Sequence, residues 1–461
     1  MSRISHNKSI DKGEKTLKKL KDVAFHYAEK TLHVALVGSL FKWIFYGGII
    51  GILSGSSSAL FLASLDFATN KRMAYSWLLY LLPIGGAFMS YLYLKFGKNA
   101  GKGNNLILEQ IQDGQESIPF RMAPLVLLGT FLTHLFGGSA GREGTAVQMG
   151  GSFSEWIGKV FKVDGIDRKI LLMCGISSGF GSVFGTPLAG TIFGLEVIAI
   201  GLVSYQAIIP CFIASFVGNL VTTAWGIHHI HYHMGAVPVL SVSVVLKVIF
   251  ASILFGLASI LFSELTHWLK KMYTKLFKNP MIKGFVGGLV IIALVFIFGT
   301  RDYLGLGIPL LQQSFEEPVS RLAFLWKTLF TTLTLGAGFQ GGEVTPLFVI
   351  GATLGNSLAD LLHLSPPFLA GLGLIAVFSG ATNTPIACFV MGIELFGSEG
   401  MIYMFMACIV SYLFSGHTGI YTSQQIGISK SKLYPIPDKS TLASIKTGKT
   451  VEKEQGFKKQ L

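Results

Sequence analysis

Residues 141–145 read Gly-Arg-Glu-Gly-Thr, directly after the apolar block 123–140. A glycine-rich turn that opens a helix leaves backbone N–H groups without intrahelical acceptors, and the helix dipole adds partial positive charge. Such a turn is an anion seat. A carboxylate placed there is itself an anion. Ionised, Glu143 can occupy the seat; protonated, it loses that attraction and swings away. One glutamate can thus couple proton binding to anion passage. An ionisable side chain at membrane depth is a functional candidate by default. The plain alternative is a helix cap paired with Arg142, a residue that suits orienting the loop or lining a mouth.

Two other stretches have the same form. Gly101-Lys102-Gly103-Asn104-Asn105 and Gly341-Gly342-Glu343-Val344-Thr345 each put glycine and polar residues ahead of an apolar run. Glu343 reads as a second proton carrier or as a cap. Lys102 either attracts the anion or snorkels to the cytoplasm.

Other groups carry side chains capable of chemistry. Gly137-Gly138-Ser139-Ala140-Gly141 matches G-x-S-x-G with His134 nearby, the signature of a serine hydrolase. That motif is weak in a chain with 55 glycines and leaves Glu143 unexplained. His228, His229, His231 and His233 form a short cluster without acidic or cysteine neighbours, which suits an exposed connector better than a metal site. Cys174, Cys211, Cys388 and Cys408 lie in apolar runs and read as small buried hydrophobes. Asp66 and Lys327 are single charges among apolar neighbours; Lys327 is expected at a helix end near the cytoplasmic face. No catalytic residue, metal or cofactor is expected.

The elements that must position these residues are membrane helices. Of 461 residues, 51% are apolar and 13% charged, about half the charged share of a soluble domain. Apolar blocks recur at 74–94, 123–140, 170–200, 236–262, 284–299 and 367–393. Several approach the ~20 residues that cross a bilayer as a helix. They are continuous rather than alternating, which excludes a β-barrel. Glycine and proline interrupt most of them, so short, tilted or broken helices are expected, tolerated where protein or a watery cavity satisfies the backbone.

Three motifs occur twice in the same order. Residues 101–106 return at 305–310, 141–145 at 341–345, and Thr186-Pro187-Leu188-Ala189 with Glu196 at Thr384-Pro385-Ile386-Ala387 with Glu394. In this register Glu343 is the repeat counterpart of Glu143. The chain divides into a basic N-terminal segment 1–34, repeats 35–235 and 236–426, and a basic tail 427–461. Residues 1–30 hold eight Lys/Arg against four acids, and 427–461 hold eight Lys against three. By the positive-inside rule both termini are cytoplasmic, so the net charge of +13 does not indicate nucleic acid. Leu17, Leu20, Ala24 and Tyr27 lie at helical spacing among lysines, as on an amphipathic surface helix. No signal-peptide pattern precedes the first apolar block.

Gly-Arg-Glu-Gly, the run Leu333–Pro346, Thr-Pro-Leu-Ala-Gly at 186–190 and Gly419-Ile420-Tyr421-Thr422-Ser423-Gln424 resemble the CLC superfamily of chloride channels and anion/proton antiporters, in family order over most of 35–426. The resemblance implies an all-α polytopic membrane protein of inverted repeats with tilted and broken helices. It further implies a homodimer with one pore per subunit. Glu143 falls on the family's gating glutamate and Tyr421 on the tyrosine that meets the central anion from inside. The chain departs from chloride members at three places: the first motif lacks the chloride-contacting serine, Thr145 follows Gly-Arg-Glu-Gly, and Val344 stands at the usual Phe. Asn104 with Glu343, Val344 and Thr345 resembles the fluoride/proton antiporter branch. The candidate anion site is therefore Lys102, Gly103, Asn104, Gly144, Val344, Thr345 and Tyr421, with Glu143 and Glu343 for gating and proton transfer. Val197 stands where many chloride/proton exchangers carry an inner glutamate, an absence expected in that branch. The expected function is export of fluoride in exchange for protons across the plasma membrane, with a chloride channel or chloride/proton exchanger as the alternative.

Overall fold

The computed structural model describes residues 2–447, apart from 113, 115, 231, 434, 435, 438 and 439, with side chains from His33 to Lys446. The facing of Leu17, Leu20, Ala24 and Tyr27, the imidazole of His231 and the tail beyond 447 lie outside these residues. Helix α1 (Ser2–Ala74) passes through two compact units, Met1–Tyr46 and Gly47–Leu461. In the first, Trp43 meets Tyr46 edge-on at 6.1 Å. All the elements below belong to the second.

Short helices α2 (Leu82–Leu92) and α3 (Asn104–Gln112) lead to α4 (Met122–Leu135), α5 (Glu143–Val160), α6 (Gly165–Phe184), α7 (Pro187–Glu196) and α8 (Ile208–Ala224). The second half holds α9 (Val242–Leu276), α10 (Pro280–Phe298), α11 (Ile308–Glu316), α12 (Ala323–Gly336), α13 (Val344–Leu362), α14 (Pro366–Thr382), α15 (Pro385–Phe396) and α16 (Met401–Phe414). Six helical stretches among the described residues are long and apolar enough to cross a membrane, and four shorter apolar helices accompany them.

The apolar blocks break where backbone chemistry requires it. Block 170–200 ends α6 at Gly185, left-handed at φ 75°, and restarts at Pro187. Block 367–393 does the same at Asn383, φ 58°, and Pro385. A left-handed residue terminates one helix, and proline, which has no N–H to leave unpaired, opens the next.

Helix starts fix the register of the duplication. α12 and α13 begin 201 residues after α4 and α5 (122 to 323, 143 to 344). The counterpart of Glu143 is thus Val344, and that of Arg142 is Glu343. The expected pairing of Glu143 with Glu343 is corrected by one residue, because consecutive glycines let the motifs slide against each other. Gly141 and Gly342, equivalent in this register, exchange both backbone hydrogen bonds, 2.6 and 2.9 Å. Equivalent residues that pair reciprocally are related by a local twofold, from which α5 and α13 diverge. The same symmetry recurs at α7 and α15. Glu196 accepts the N–H groups of Ile386 (3.2 Å) and Ala387 (2.8 Å), and Glu394 accepts those of Leu188 (2.9 Å) and Ala189 (2.8 Å). Each repeat caps the other's helix.

Glycine permits the closest crossing. A Cβ at Gly351 in α13 would run into the Gly373 carbonyl of α14, and one at Gly150 in α5 into that of Gly175 in α6. Around this contact, residues 344–356 of α13 and 368–382 of α14 are buried and mostly apolar, as befits helices inside a protein core.

Lys327 is buried rather than placed at an exposed helix end. It lies within α12, 0% exposed, and donates to Ser139 Oγ (2.9 Å), Tyr303 O (3.0 Å) and Gly305 O (2.9 Å). Three acceptors satisfy the three ammonium protons, so the side chain need not reach water. All four cysteines are buried.

Candidate functional site

α5 starts at Glu143, and the glycines on either side give its carboxylate room to cross to the other repeat. Oε1 accepts the N–H of Val344 at 2.6 Å. Oε2 accepts the N–H of Thr345 at 3.2 Å, its hydroxyl at 3.3 Å, and the N–H of Arg142 at 3.0 Å. Val344 and Thr345 are the first two residues of α13, whose N–H groups have no acceptor within their own helix. Glu143, 1% exposed, therefore occupies a seat at the N-terminus of the other repeat's helix. Gly342 makes the approach fit: a Cβ there would overlap the Glu143 carboxylate.

Two cavities flank the seat. One, about 310 Å³, is lined by Asn104, Gln148, Lys283, Gln340, Glu343 and Tyr421. The other, about 300 Å³, is lined by Arg142 and Thr345 together with Arg72 and Tyr232. Glu343 and Thr345 thus line different cavities, and the Glu143 carboxylate lies on the peptide groups between them.

In the Tyr421 cavity, Gly103 takes φ +61°, and Asn104 Nδ2 comes within 3.2 Å of where a Gly144 Cβ would stand. The amide oxygens of Asn104 and Gln148 are buried without a hydrogen-bond partner among the described residues. A side-chain amide is nearly isosteric end to end, so a half-turn of either would present N–H instead. Tyr421 is buried at the cavity wall. The loop that carries it is latched to α3: Ser423 N–H donates to Asn105 Oδ1 (2.9 Å), Ser423 Oγ to Glu109 (2.9 Å), and Gln112 to Ser423 O (2.8 Å).

Of the sequence-based candidates, Gly103, Asn104, Glu343 and Tyr421 meet around one cavity, while Gly144, Val344 and Thr345 meet at the Glu143 seat. Lys102 borders the Tyr421 cavity, but its ammonium is paired at 3.0 Å with both Glu109 and Glu116 and is 42% exposed. The hydrogen bond from Lys102, and then that from Asn99, hold the Glu116 carboxyl below its ordinary range. This pairing persists at neutral pH and is lost as pH falls through that lowered value. Arg142 does not reach for Glu143 with its guanidinium, which lies over the Phe184 ring at 5.6 Å. The His134–Ser139 pair does not form. Ser139 Oγ bonds Thr331 (2.8 Å) and Lys327, and His134 Nε2 faces Gly141 O at 3.4 Å. Gln148 went unnoticed in the sequence. It lies on α5 beyond the Gly-Arg-Glu-Gly turn, and only its helical position relative to Glu143 could have indicated it.

The family described as voltage gated chloride channel matches residues 85–416. A chloride/fluoride channel protein of Pseudomonas syringae pv. tomato is 49% identical over 411 residues, covering 88% of this chain and 91% of that protein. The H(+)/Cl(-) exchange transporter ClcA of Vibrio cholerae serotype O1 is 24% identical, covering 78% of this chain and 83% of its own length. The crystal structure of a CLC-type fluoride/proton antiporter superposes with a TM-score of 0.81 at 35% identity, over 84% of this chain and 98% of that one. A slow cyanobacterial Cl-/H+ antiporter superposes at 0.72 with 20% identity, over 81% of this chain and 94% of that one.

Proposed function

The chain belongs to the voltage-gated chloride channel family of membrane anion channels and transporters, and from that premise we propose that it is a fluoride/proton antiporter that exports fluoride. Glu143 is its gate and proton carrier. The observation that carries this reading is the Glu143 carboxylate seated on the N–H groups of Val344 and Thr345. A carboxylate and a halide are interchangeable ligands for such donors, and a proton on Glu143 decides which one holds the seat. The cycle has four parts. Glu143 takes a proton and leaves. Fluoride enters the vacated seat. Fluoride moves on to the other cavity. Glu143 returns, releases its proton and refills the seat.

Fluoride is small and strongly hydrated, so it needs close hydrogen-bond donors to offset dehydration. The Asn104 amide, the Gly144 and Val344 peptides and the Thr345 hydroxyl are such donors; Gly103, Lys102 and Tyr421 shape the approach. The chloride/fluoride channel protein at 49% identity and the fluoride/proton antiporter at 35% support fluoride as cargo. Glu343, on the wall of the Tyr421 cavity, hands protons between that cavity and Glu143.

Repeats 35–235 and 236–426 form one pore per subunit of a homodimer in the plasma membrane. Both termini are cytoplasmic. Residues 47–74 of α1 span about 42 Å at 1.5 Å per residue, more than the ~30 Å hydrocarbon core. Ala74 and the Arg72 cavity therefore face outward, and the Tyr421 cavity faces inward. Liposomes loaded with equal fluoride and chloride, read by ion-selective electrodes, test the reading. Selective fluoride efflux that drives proton uptake is expected; chloride efflux equal to fluoride would overturn the assignment.

A further inference from the structure

The connector between the repeats, residues 225–241, has no part in the cycle above, yet it roofs the outer cavity. His228, His229 and Tyr232 line that cavity together with Asp66 and Arg72 at the end of α1 and Arg142 beside Glu143. Its floor includes Thr345, whose N–H and hydroxyl both bond the Glu143 carboxylate. A cavity of about 300 Å³ has room for on the order of ten waters. One cavity thus joins two imidazoles to the immediate neighbour of the gating carboxylate.

We propose that His228 and His229 are a proton-collecting station that loads Glu143 from the outside, an inference that rests on the proton-coupled reading of the site. Imidazole is the side chain whose charge changes between pH 5 and 8, the range in which a cell meets an acidic medium. A protonated imidazole gives its N–H proton through cavity water to the Glu143 carboxylate, leaving neutral imidazole and neutral carboxyl. The imidazole then takes a fresh proton from outside water. Every charged or titratable side chain lining this space is accounted for. Arg72 and Arg142 oppose imidazolium, Asp66 favours it, and Tyr232 is stacked on Phe315 at 5.1 Å. The two guanidiniums draw departing fluoride into the cavity, and Glu143 is the carboxylate that bonds Thr345 on its floor.

The test is His228→Gln/His229→Gln in the full chain, reconstituted in liposomes, with fluoride-driven proton flux followed against outer pH. Wild type is expected to accelerate on acidification, with a midpoint that depends on the two histidines. The double variant is expected to lose several-fold in rate at outer pH 6, and to regain the wild-type rate near pH 4.5, where water loads Glu143 directly. That recovery distinguishes a lost relay from a damaged fold. An unchanged midpoint in the double variant overturns the proposal while leaving Glu143 coupling intact. A slow variant that no acidity restores also overturns it, since the histidines would then only hold structure. Wild type that moves fluoride without protons overturns the coupled reading itself. Asp66→Asn serves as a comparison: a midpoint that moves with Asp66→Asn and not with the histidines assigns collection to the carboxylate and defeats the proposal.

Discussion

Gly342→Ala separates the seat from the titration of its occupant. The new methyl would overlap the Glu143 carboxylate, while the carboxyl group itself is retained. The backbone tolerates alanine, since Gly342 is not among the positive-φ glycines. The 2.6 Å bond from Val344 to Oε1 is the one most directly in its path. A charge-assisted hydrogen bond contributes about 2 kcal/mol. Its loss lowers occupancy of the seat by the carboxylate about thirtyfold, at 1.4 kcal/mol per factor of ten. Fluoride should then pass without waiting for a proton. In liposomes with a fluoride gradient and a pH indicator inside, wild type should drive protons against their gradient. Gly342→Ala should pass fluoride with that drive reduced by roughly the same thirtyfold factor. A variant that moves fluoride with coupling intact would refute the claim that gate and halide share one seat.

Other substitutions divide the roles further. Glu143→Gln removes the titrating group, and a fluoride gradient should no longer drive protons uphill in the flux assay. Thr345→Ala removes a 3.3 Å hydroxyl contact, a long bond of under ~1 kcal/mol; fluoride preference over chloride should weaken by a few-fold at most, read by paired electrodes. Asn104→Ala removes an amide at the Tyr421 cavity and should weaken that preference more. Lys102→Ala breaks two exposed ion pairs of roughly 0.2–1 kcal/mol each, so its effect on fluoride uptake should shrink as salt is raised, and a salt-independent loss would place the ammonium on the anion. Lys327→Met leaves Ser139 Oγ and two loop carbonyls without their donor. It should lower thermal stability in detergent by several degrees.

The membrane class, the duplication and the helix breaks were legible because glycine, proline and apolar runs act locally. The breaks before Pro187 and Pro385 fall where the sequence places them. The seat at Glu143 was legible as a turn opening a helix. That it is lined by Val344 and Thr345 rather than by its own helix was not, since the contact spans two hundred residues and depends on the twofold at Gly141 and Gly342. Lys327 misled because a lysine in an apolar run ordinarily snorkels; its acceptors are carbonyls of a distant loop. The repeat register slipped by one because glycines carry no side chain to mark it. His228 and His229 read as a connector, and only the fold sets them over a cavity.

Proton uptake on fluoride binding tests the central claim most directly. Purified protein in weakly buffered detergent solution is titrated with fluoride while an indicator follows pH. If fluoride displaces a carboxylate that must then be neutralised, about one proton is taken up per fluoride bound, and affinity rises as pH falls. Fluoride binding with no proton uptake and no pH dependence, in a protein that still carries Glu143, contradicts the account.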